Sequence, residues 1–380
     1  MAGLKKEVLE LREVSSKKEF REFIYLPKKL HKNHENWVPP LYRDEWNYFN
    51  QRKNLALEYC DTLLILAYQN GEAVGRIMGT INHRNNDYEK CLDARYSHLE
   101  SIDDISVIRG LLEYVEKWAK TKNMERIIGP MGLTYTDPMG FLIDGFDYPP
   151  SVAANYNFEY LPKRVEELGY ITDEDLVVYK IPVLENLPAL YERIHNRVKE
   201  RSNFKLVSFR NRRDLKKAII PVLKLMNTCF EEIYGYSQLT DKEMINIAKT
   251  YLPILNPSLI KVAENDKELV GFMISMPHLS EGFNAANGRL FPFGFLRILS
   301  AMKNSRRLDL LIGGIKREYR RQGVDVLIAY DMMITAKKMG YSYIDSHLEL
   351  AANVKVTGEM AKMGGEIYKK YRIFQKQLTD

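Results

Sequence analysis

Apolar residues fall into two periods along this chain. They alternate with polar ones through Phe204–Phe209, and recur at helical spacing through Leu223, Leu225, Met226 and Phe230. The first pattern predicts a half-buried strand, the second an amphipathic helix. Asp214 and Asp241 are read as helix caps, the second opening a helix over Met244–Leu255. A hairpin is expected over Ile260–Met276, a strand over Leu308–Ile315 and a helix over Val326–Met339. A strand over Ser342–Leu348, a helix over Val354–Met363 and a strand over Ile367–Phe374 complete this part. The earlier part of the chain has the same order. It reads as a strand at Val8–Val14, helices from Lys17, a hairpin at Leu63–Ile81, a strand near Tyr96–Glu100 and a helix at Ile105–Lys122. Then come a strand at Arg126–Gly129, a helix at Phe158–Leu168 and a strand at Asp175–Ile181. Strands and helices mixed in this order predict an α/β (α+β) layer fold with a mixed sheet.

Short echoes support a repeat. Ala67, Asn70, Glu72, Val74 and Gly75 match Ala263, Asp266, Glu268, Val270 and Gly271 at an offset of 196. Val165–Gly169 matches Met360–Gly364 at an offset of 195. The expected organisation is a first domain over 1–184, a helical linker over 185–203 and a second domain over 204–380. The second part carries an insertion near Ser280–Lys303 that includes Phe291-Pro-Phe-Gly-Phe-Leu, read as a lid or a dimer contact.

Composition excludes some classes. The chain of 380 residues has 56 basic and 50 acidic residues, a net charge of +6 that is too mild to argue for nucleic acid. Cys60, Cys91 and Cys229 are scattered, with neither a disulfide framework nor a metal-ligand spacing, so no metal is expected. No stretch is apolar for the length of a membrane span and Met1–Arg12 is charged. A cytoplasmic protein without membrane or nucleic-acid partners is expected.

The strongest chemical signal is Ile315-Lys-Arg-Glu-Tyr-Arg-Arg-Gln-Gly-Val-Asp325. It joins an apolar strand to a helix through a basic turn with one glycine. A helix start offers unpaired N–H donors and partial positive charge, and so suits an anion. Gly313-Gly314 inside the strand suggests a bulge or a close backbone approach. The arginines Arg306, Arg307, Arg317, Arg320 and Arg321, with Lys303 and Lys316, are candidate phosphate partners or plain surface charges.

With Asn353 and Lys362-Met363-Gly364, the glycine eleven residues after the asparagine, these features resemble the GNAT acyltransferase superfamily. The resemblance implies two GNAT-like mixed-sheet domains in tandem, the first without a cofactor loop. It implies acetyl-CoA or another acyl-CoA held by Gly314, Ile315, Arg320, Arg321, Gln322, Gly323, Val324 and Asn353. Asp325 stands where a small residue is usual, and Met360 where a general-acid tyrosine is frequent. Asp309 interrupts the apolar strand where some members carry a carboxylate base, and burial there is expected to raise its pKa. Solvent exposure on a half-buried strand is the other reading of Asp309. The long Gly- and Pro-rich connection 129–157 suggests an acceptor pocket from Thr134, Tyr135, Asp137, Asn155 and Tyr156. Two functions stay open: an acyl-CoA-dependent N-acyltransferase acting on a small-molecule or peptide amine, and a non-catalytic ligand-binding or scaffolding protein with a degenerate site.

Overall fold

A computed structural model describes residues 9–151, 154–185, 187–231 and 233–378. The first half runs β1 (Leu9–Glu13), α1 (Lys17–Leu30), α2 (Tyr42–Tyr48), β2 (Cys60–Gln69), β3 (Glu72–Asn82), α3 (His83–Glu89), β4 (Asp93–Ser101), α4 (Ile105–Thr121), β5 (Arg126–Gly129), β6 (Phe141–Asp144), α5 (Tyr160–Glu167) and β7 (Ile171–Pro182). Helix α6 (Ala189–Arg201) joins the halves. The second half runs β8 (Phe204–Val207), α7 (Arg212–Cys229), α8 (Asp241–Tyr251), β9 (Ile260–Asn265), β10 (Glu268–Pro277), α9 (Ser280–Ala286), α10 (Gly294–Asn304), β11 (Arg307–Ile315), α11 (Val324–Lys338), β12 (Tyr343–Asp345), β13 (Glu349–Leu350), α12 (Val354–Lys362) and β14 (Glu366–Gln377).

The echoed segments form equivalent hairpins. Asn70-Gly71 and Asp266-Lys267 both take left-handed φ at two-residue turns, the geometry that matches strand twist in a tight hairpin. Two expected caps shift. Asn211, not Asp214, caps α7, and Thr240 with Glu243 forms the capping box of α8. Val8 lies outside the described residues.

The strands of both halves join in one sheet. Its order is β1-β2-β3-β4-β5-β14-β7-β12-β11-β10-β9-β8. The last strand of each half has crossed over. β14 lies against β5 and β6 of the first half, and β7 lies against β12 and β13 of the second. β7 and β14 pair with each other along most of their length. Reading outward from that pair, the two arms match strand for strand. The halves expected as 1–184 and 204–380 therefore share one sheet, because each contributes the strand that closes the other's core. Ile373 and Phe374 of β14 are fully buried, and Phe374 sits in the first half's main core with Ile127, Phe141 and Leu161.

The second half's sheet is covered on both faces. Leu308 and Leu310 pack with Met332 and Met333 of α11. On the other face, Phe272 and Ile274 pack with α7 residues Val222, Met226 and Cys229. Alternation along a strand thus sends Asp309 to the face opposite α11.

Candidate active site

β11 and β12 run parallel but pair only over Arg307–Asp309 and Tyr343–Asp345. Beyond that point the chain leaves β11. Ser346 donates its N–H to the Tyr179 carbonyl of β7 at 2.9 Å, and its hydroxyl accepts the Tyr179 N–H at 2.8 Å. β11 continues to Ile315 beside β10, with a bulge at Leu311 opposite the Ile274–Ser275 step. Among the described residues no backbone hydrogen bond reaches the β12-side edge of Leu310–Gly314. A wedge with one free strand edge is left between β11 and β12, the kind of edge that an extended ligand can pair with.

The bulge is three residues before Gly314, which serves a different purpose. A Cβ there would meet Cys229 Cβ at 2.8 Å and Phe230 at 3.0 Å, so this glycine admits the end of α7. At the open end of the wedge lies the basic turn. Gly323 takes φ +86° and begins α11 without a side-chain cap, leaving the helix's first donors unclaimed by a cap. A Cβ on Gly323 would come within 2.5 Å of Val198, so it also seats α6. Arg321 is exposed in the left-handed region, and Gln322 donates to the Glu318 carbonyl at 2.7 Å. Arg320 is folded back, its Nε donating to the Ile315 carbonyl at 3.2 Å and Nη2 to the Cys229 carbonyl at 3.4 Å. The Val324 side chain is core, so only its backbone faces the turn. Asn353 caps α12 through Val356 N–H. Asp325 is exposed on the first turn of α11, and Met360 packs against the core between α11 and the sheet.

At the base of the wedge is a buried polar cluster. Asp309 Oδ1 accepts Arg307 Nε at 2.9 Å, and Oδ2 meets His278 Nδ1 at 2.8 Å. Arg307 Nη2 faces Asp345 Oδ2 at 2.6 Å, an ion pair without hydrogen-bond alignment. Tyr368 donates to the same Asp345 oxygen. Lys369 Nζ donates to the Pro149 carbonyl at 2.7 Å, and Ser280 Oγ to the Pro150 carbonyl at 2.5 Å. The cluster draws on both halves, since β14 and the loop before α5 both reach it. Three buried atoms of this cluster have no hydrogen-bond partner: His278 Nε2, Arg307 Nη2 and the Tyr371 hydroxyl. A buried polar atom without a partner is costly, and marks a place for a ligand or water.

The electrostatics reverse the expectation for Asp309. Burial opposes its ionisation, but the Arg307 guanidinium and the His278 hydrogen bond outweigh it and hold the carboxyl below its ordinary value. Asp345 goes up instead, through burial and the like charge of Asp309. Burial pushes the Lys369 ammonium down to about 8, with Asp345 opposing. Arg307, expected at a phosphate or on the surface, is an interior partner of two carboxylates. Glu349, at the start of β13, is raised to about 7 by burial.

The expected acceptor residues do not converge. Tyr135 packs edge-on against Tyr236 and Phe230 of the second half's core. Asp137 is half-buried, accepting from Tyr48 Oη at 3.0 Å and Thr134 N–H at 2.9 Å. Asn155 donates to the Gly140 carbonyl, and Tyr156 to the Phe146 carbonyl. These four hold their loop in shape. The same long connection reaches the cluster through the Pro149 and Pro150 carbonyls, which no side-chain pattern could reveal. His278 was also missed. Its signal lies in strand register: Met276 opposite Asp309 places the next residues beside Arg307. A separate hollow is lined by Asp144, Asp147, Glu159 and Glu166 with Lys163 and Arg372, and shares none of the cluster's residues.

No family model matches the chain. Among solved structures, a tandem GNAT protein from the clavulanic acid biosynthesis pathway superposes with a TM-score of 0.57 at 11% identity, covering 98% of this chain and 99% of that one. A GCN5-related N-acetyltransferase from Sphaerobacter thermophilus gives 0.54 at 10% identity, covering 98% and 96%. The chain has the GNAT fold in its tandem form. In sequence it is similar to a protein of Caulobacter vibrioides named bacterial ceramide synthase, 27% identical over 377 residues, 96% of each chain. It is 25% identical to protein YghO of Escherichia coli over 372 residues, 96% of this chain and 94% of that one.

Proposed function

We propose that this protein is an acyl-CoA-dependent N-acyltransferase of the cytoplasm, with the wedge between β11 and β12 as its active site. The observation that carries the reading is the free β11 edge lying beside a buried histidine whose Nε2 has no partner. An extended pantetheine arm fits such an edge by strand-like pairing, and its diphosphate fits the uncapped start of α11 with Arg321 and the Arg320–Val324 backbone. Acyl-CoA supplies the acyl group as a thioester. His278 is the group placed to take the proton that an amine loses on acylation. Asp309 holds His278 Nδ1, and so fixes which ring nitrogen is free. In this reading Asp309 is a positioning residue and not the base, because both its oxygens are engaged and its carboxyl is held low. Tyr368 is committed to Asp345 and does not stand in for the acid missing at Met360. Free CoA thiol has a pKa of about 8.5, as an ordinary thiol does, so its thiolate leaves without full protonation.

The relative named for ceramide synthesis supports an amine acceptor, since a ceramide is an N-acylated long-chain amino alcohol. Long-chain amines are the first acceptors to try. The experiment is a melting-temperature scan with acetyl-CoA and longer acyl-CoAs, then thiol release with a panel of amines. Stabilisation by one chain length and amine-dependent thiol release are expected. Stabilisation without release from any amine would favour the scaffolding reading, and neither response would remove both.

A further inference from the structure

The 280–304 insertion builds a surface that none of the described residues covers. α9 and α10 pack so closely that a Cβ on Gly282 would meet Ile298 Cα at 2.9 Å. Their inner face closes a small core, in which Phe283, Ala286 and Ile298 join Met276 and Leu279. Their outer face is apolar as well. Phe291 is 71% exposed, Phe293 66%, Phe295 41%, Leu296 52% and Leu299 54%. Single exposed apolar residues are ordinary, but five within nine positions form a patch. The segment's own charges are mostly basic. Arg289, Arg297, Lys303 and Arg306 are exposed, and Glu281 is the only acidic residue between Ser280 and Leu308.

We propose that this surface docks the protein onto a bilayer that carries anionic lipid. Phe291, Phe293, Leu296 and Leu299 enter the boundary between headgroups and acyl chains, and the four cations meet lipid phosphates. Charge decides against a second copy. A two-fold contact through this patch would set its cations against the same cations. An apolar face rimmed by basic residues is complementary to an anionic bilayer without any such conflict. Length decides that the helix lies on the membrane. α10 has 11 residues, about 16 Å at 1.5 Å per residue, and no helix among the described residues is long and apolar enough to cross. The absence of a spanning segment in the sequence left membranes out of the expected partners, but interfacial docking needs no span. Docking does not depend on the acyl-transfer reading. If both hold, the buried cluster lies close to the docked segment, since α9 begins two residues after His278 and Ser280 is tied to Pro150.

The test is sedimentation of the full chain with vesicles of phosphatidylcholine alone and of phosphatidylcholine mixed with phosphatidylglycerol. The wild type is expected to pellet with the anionic vesicles, and to be released as salt is raised. The variant F291S/F293S/L296S/L299S should lose about tenfold or more in bound fraction while its melting temperature holds. R289E/K303E/R306E should lose the preference for anionic lipid. Failure of the wild type to bind either vesicle overturns the proposal, as does undiminished binding by the quadruple serine variant. So does a concentration-dependent dimer in light scattering that the serine variant abolishes, because the patch would then be a protein interface.

Discussion

Both halves of this protein split a sheet at the same place, and only the second leaves the split open. In the first half β4 and β5 run parallel over Asp93–Arg95 and Arg126–Ile128, then part as β11 and β12 do. Each leading strand bulges just beyond, the first at His98 and Leu99 opposite Ile77, the second at Leu311. Past the bulge the two halves diverge. After β5 the chain stays against β4: Met131 donates its N–H to the Tyr96 carbonyl at 2.7 Å. Gly129 makes that approach feasible, because a Cβ there would fall 2.4 Å from the Tyr96 oxygen. Arg95, the position matching Asp309, holds Asn85 Oδ1 at 2.5 Å, with the Gly132 and Leu133 carbonyls at 3.4 and 3.5 Å. The first wedge is filled by its own loop and locked by a buried arginine. His98 at its bulge is driven down to about 3, first by burial and then by Arg76, which removes it from proton chemistry at neutral pH. Two similar halves thus yield one open wedge and one plug, according to which neighbour the chain takes after the fifth strand of each half.

The largest effect should come from the open side. His278→Ala should lower acyl transfer by about 10²–10⁴-fold, the usual worth of a general base. Acyl-CoA should still raise the melting temperature of the variant, since the wedge edge and the turn are untouched. Turnover within a few-fold of wild type would remove His278 from the chemistry. Asp309→Asn should show a smaller loss that is partly recovered at high pH, where free amine no longer needs a base.

On the plugged side the equivalent change should cost stability and leave binding alone. Arg95→Met deletes three hydrogen bonds to buried acceptors and leaves those acceptors unsatisfied. A loss of roughly 2–3 kcal/mol in urea unfolding is expected, with acyl-CoA affinity unchanged. A variant that weakens acyl-CoA binding as much as it weakens folding would mean that the first wedge also holds ligand.

Lys369, carried across by β14, should give the cluster a signature in alkali. Its amine is depressed from 10.5 to about 8 by burial. Below pH 8 it is charged in both states, and the burial cost is fully present. Between pH 8 and 10.5 the unfolded chain keeps a proton that the folded protein has lost, so this contribution rises with pH. The stability difference between wild type and Lys369→Met should therefore grow by about 2–3 kcal/mol across that window. A flat difference in pH-resolved urea titrations would place the ammonium in a more polar setting.

Much of this layout was legible in the chain. Periodicity located the strands and helices, and the Asn70-Gly71 and Asp266-Lys267 turns marked equivalent hairpins. The basic turn and Gly323 marked the start of α11. The crossing of β7 and β14 was not legible, because an apolar strand satisfies either sheet equally and its neighbour is chosen by tertiary packing. The expected acceptor residues lie apart for a related reason. Tyr135 and Asn155 have the chemistry of ligand binders, but they spend it on Met226, Tyr236 and the Gly140 carbonyl. The groups that do reach the cluster from that loop are backbone carbonyls. Asp309 was found by its oddness in an apolar strand, and misjudged because its partner Arg307 is on the same strand face two residues away and His278 comes from the neighbouring strand.

The smallest expected effect separates the two helix starts. α4 is capped by Asp104, whose carboxylate accepts Ser106 N–H at 2.8 Å and spends that helix's free donors on an internal anion. α11 starts at Gly323 with no side-chain cap, so an external anion can take the same role. Asp104→Ala should therefore cost about 1 kcal/mol of stability and leave acyl-CoA affinity as it was. Arg321→Ala should do the reverse. Arg321 is exposed, so its attraction to a diphosphate is worth only about 1 kcal/mol, near fivefold in affinity, and shrinks in high salt. Calorimetry at two salt concentrations reads both variants. If Asp104→Ala weakened acyl-CoA binding, or Arg321→Ala left it unchanged at low salt, the division of labour between the two helix starts would be wrong, and the diphosphate would have to be sought elsewhere along the wedge.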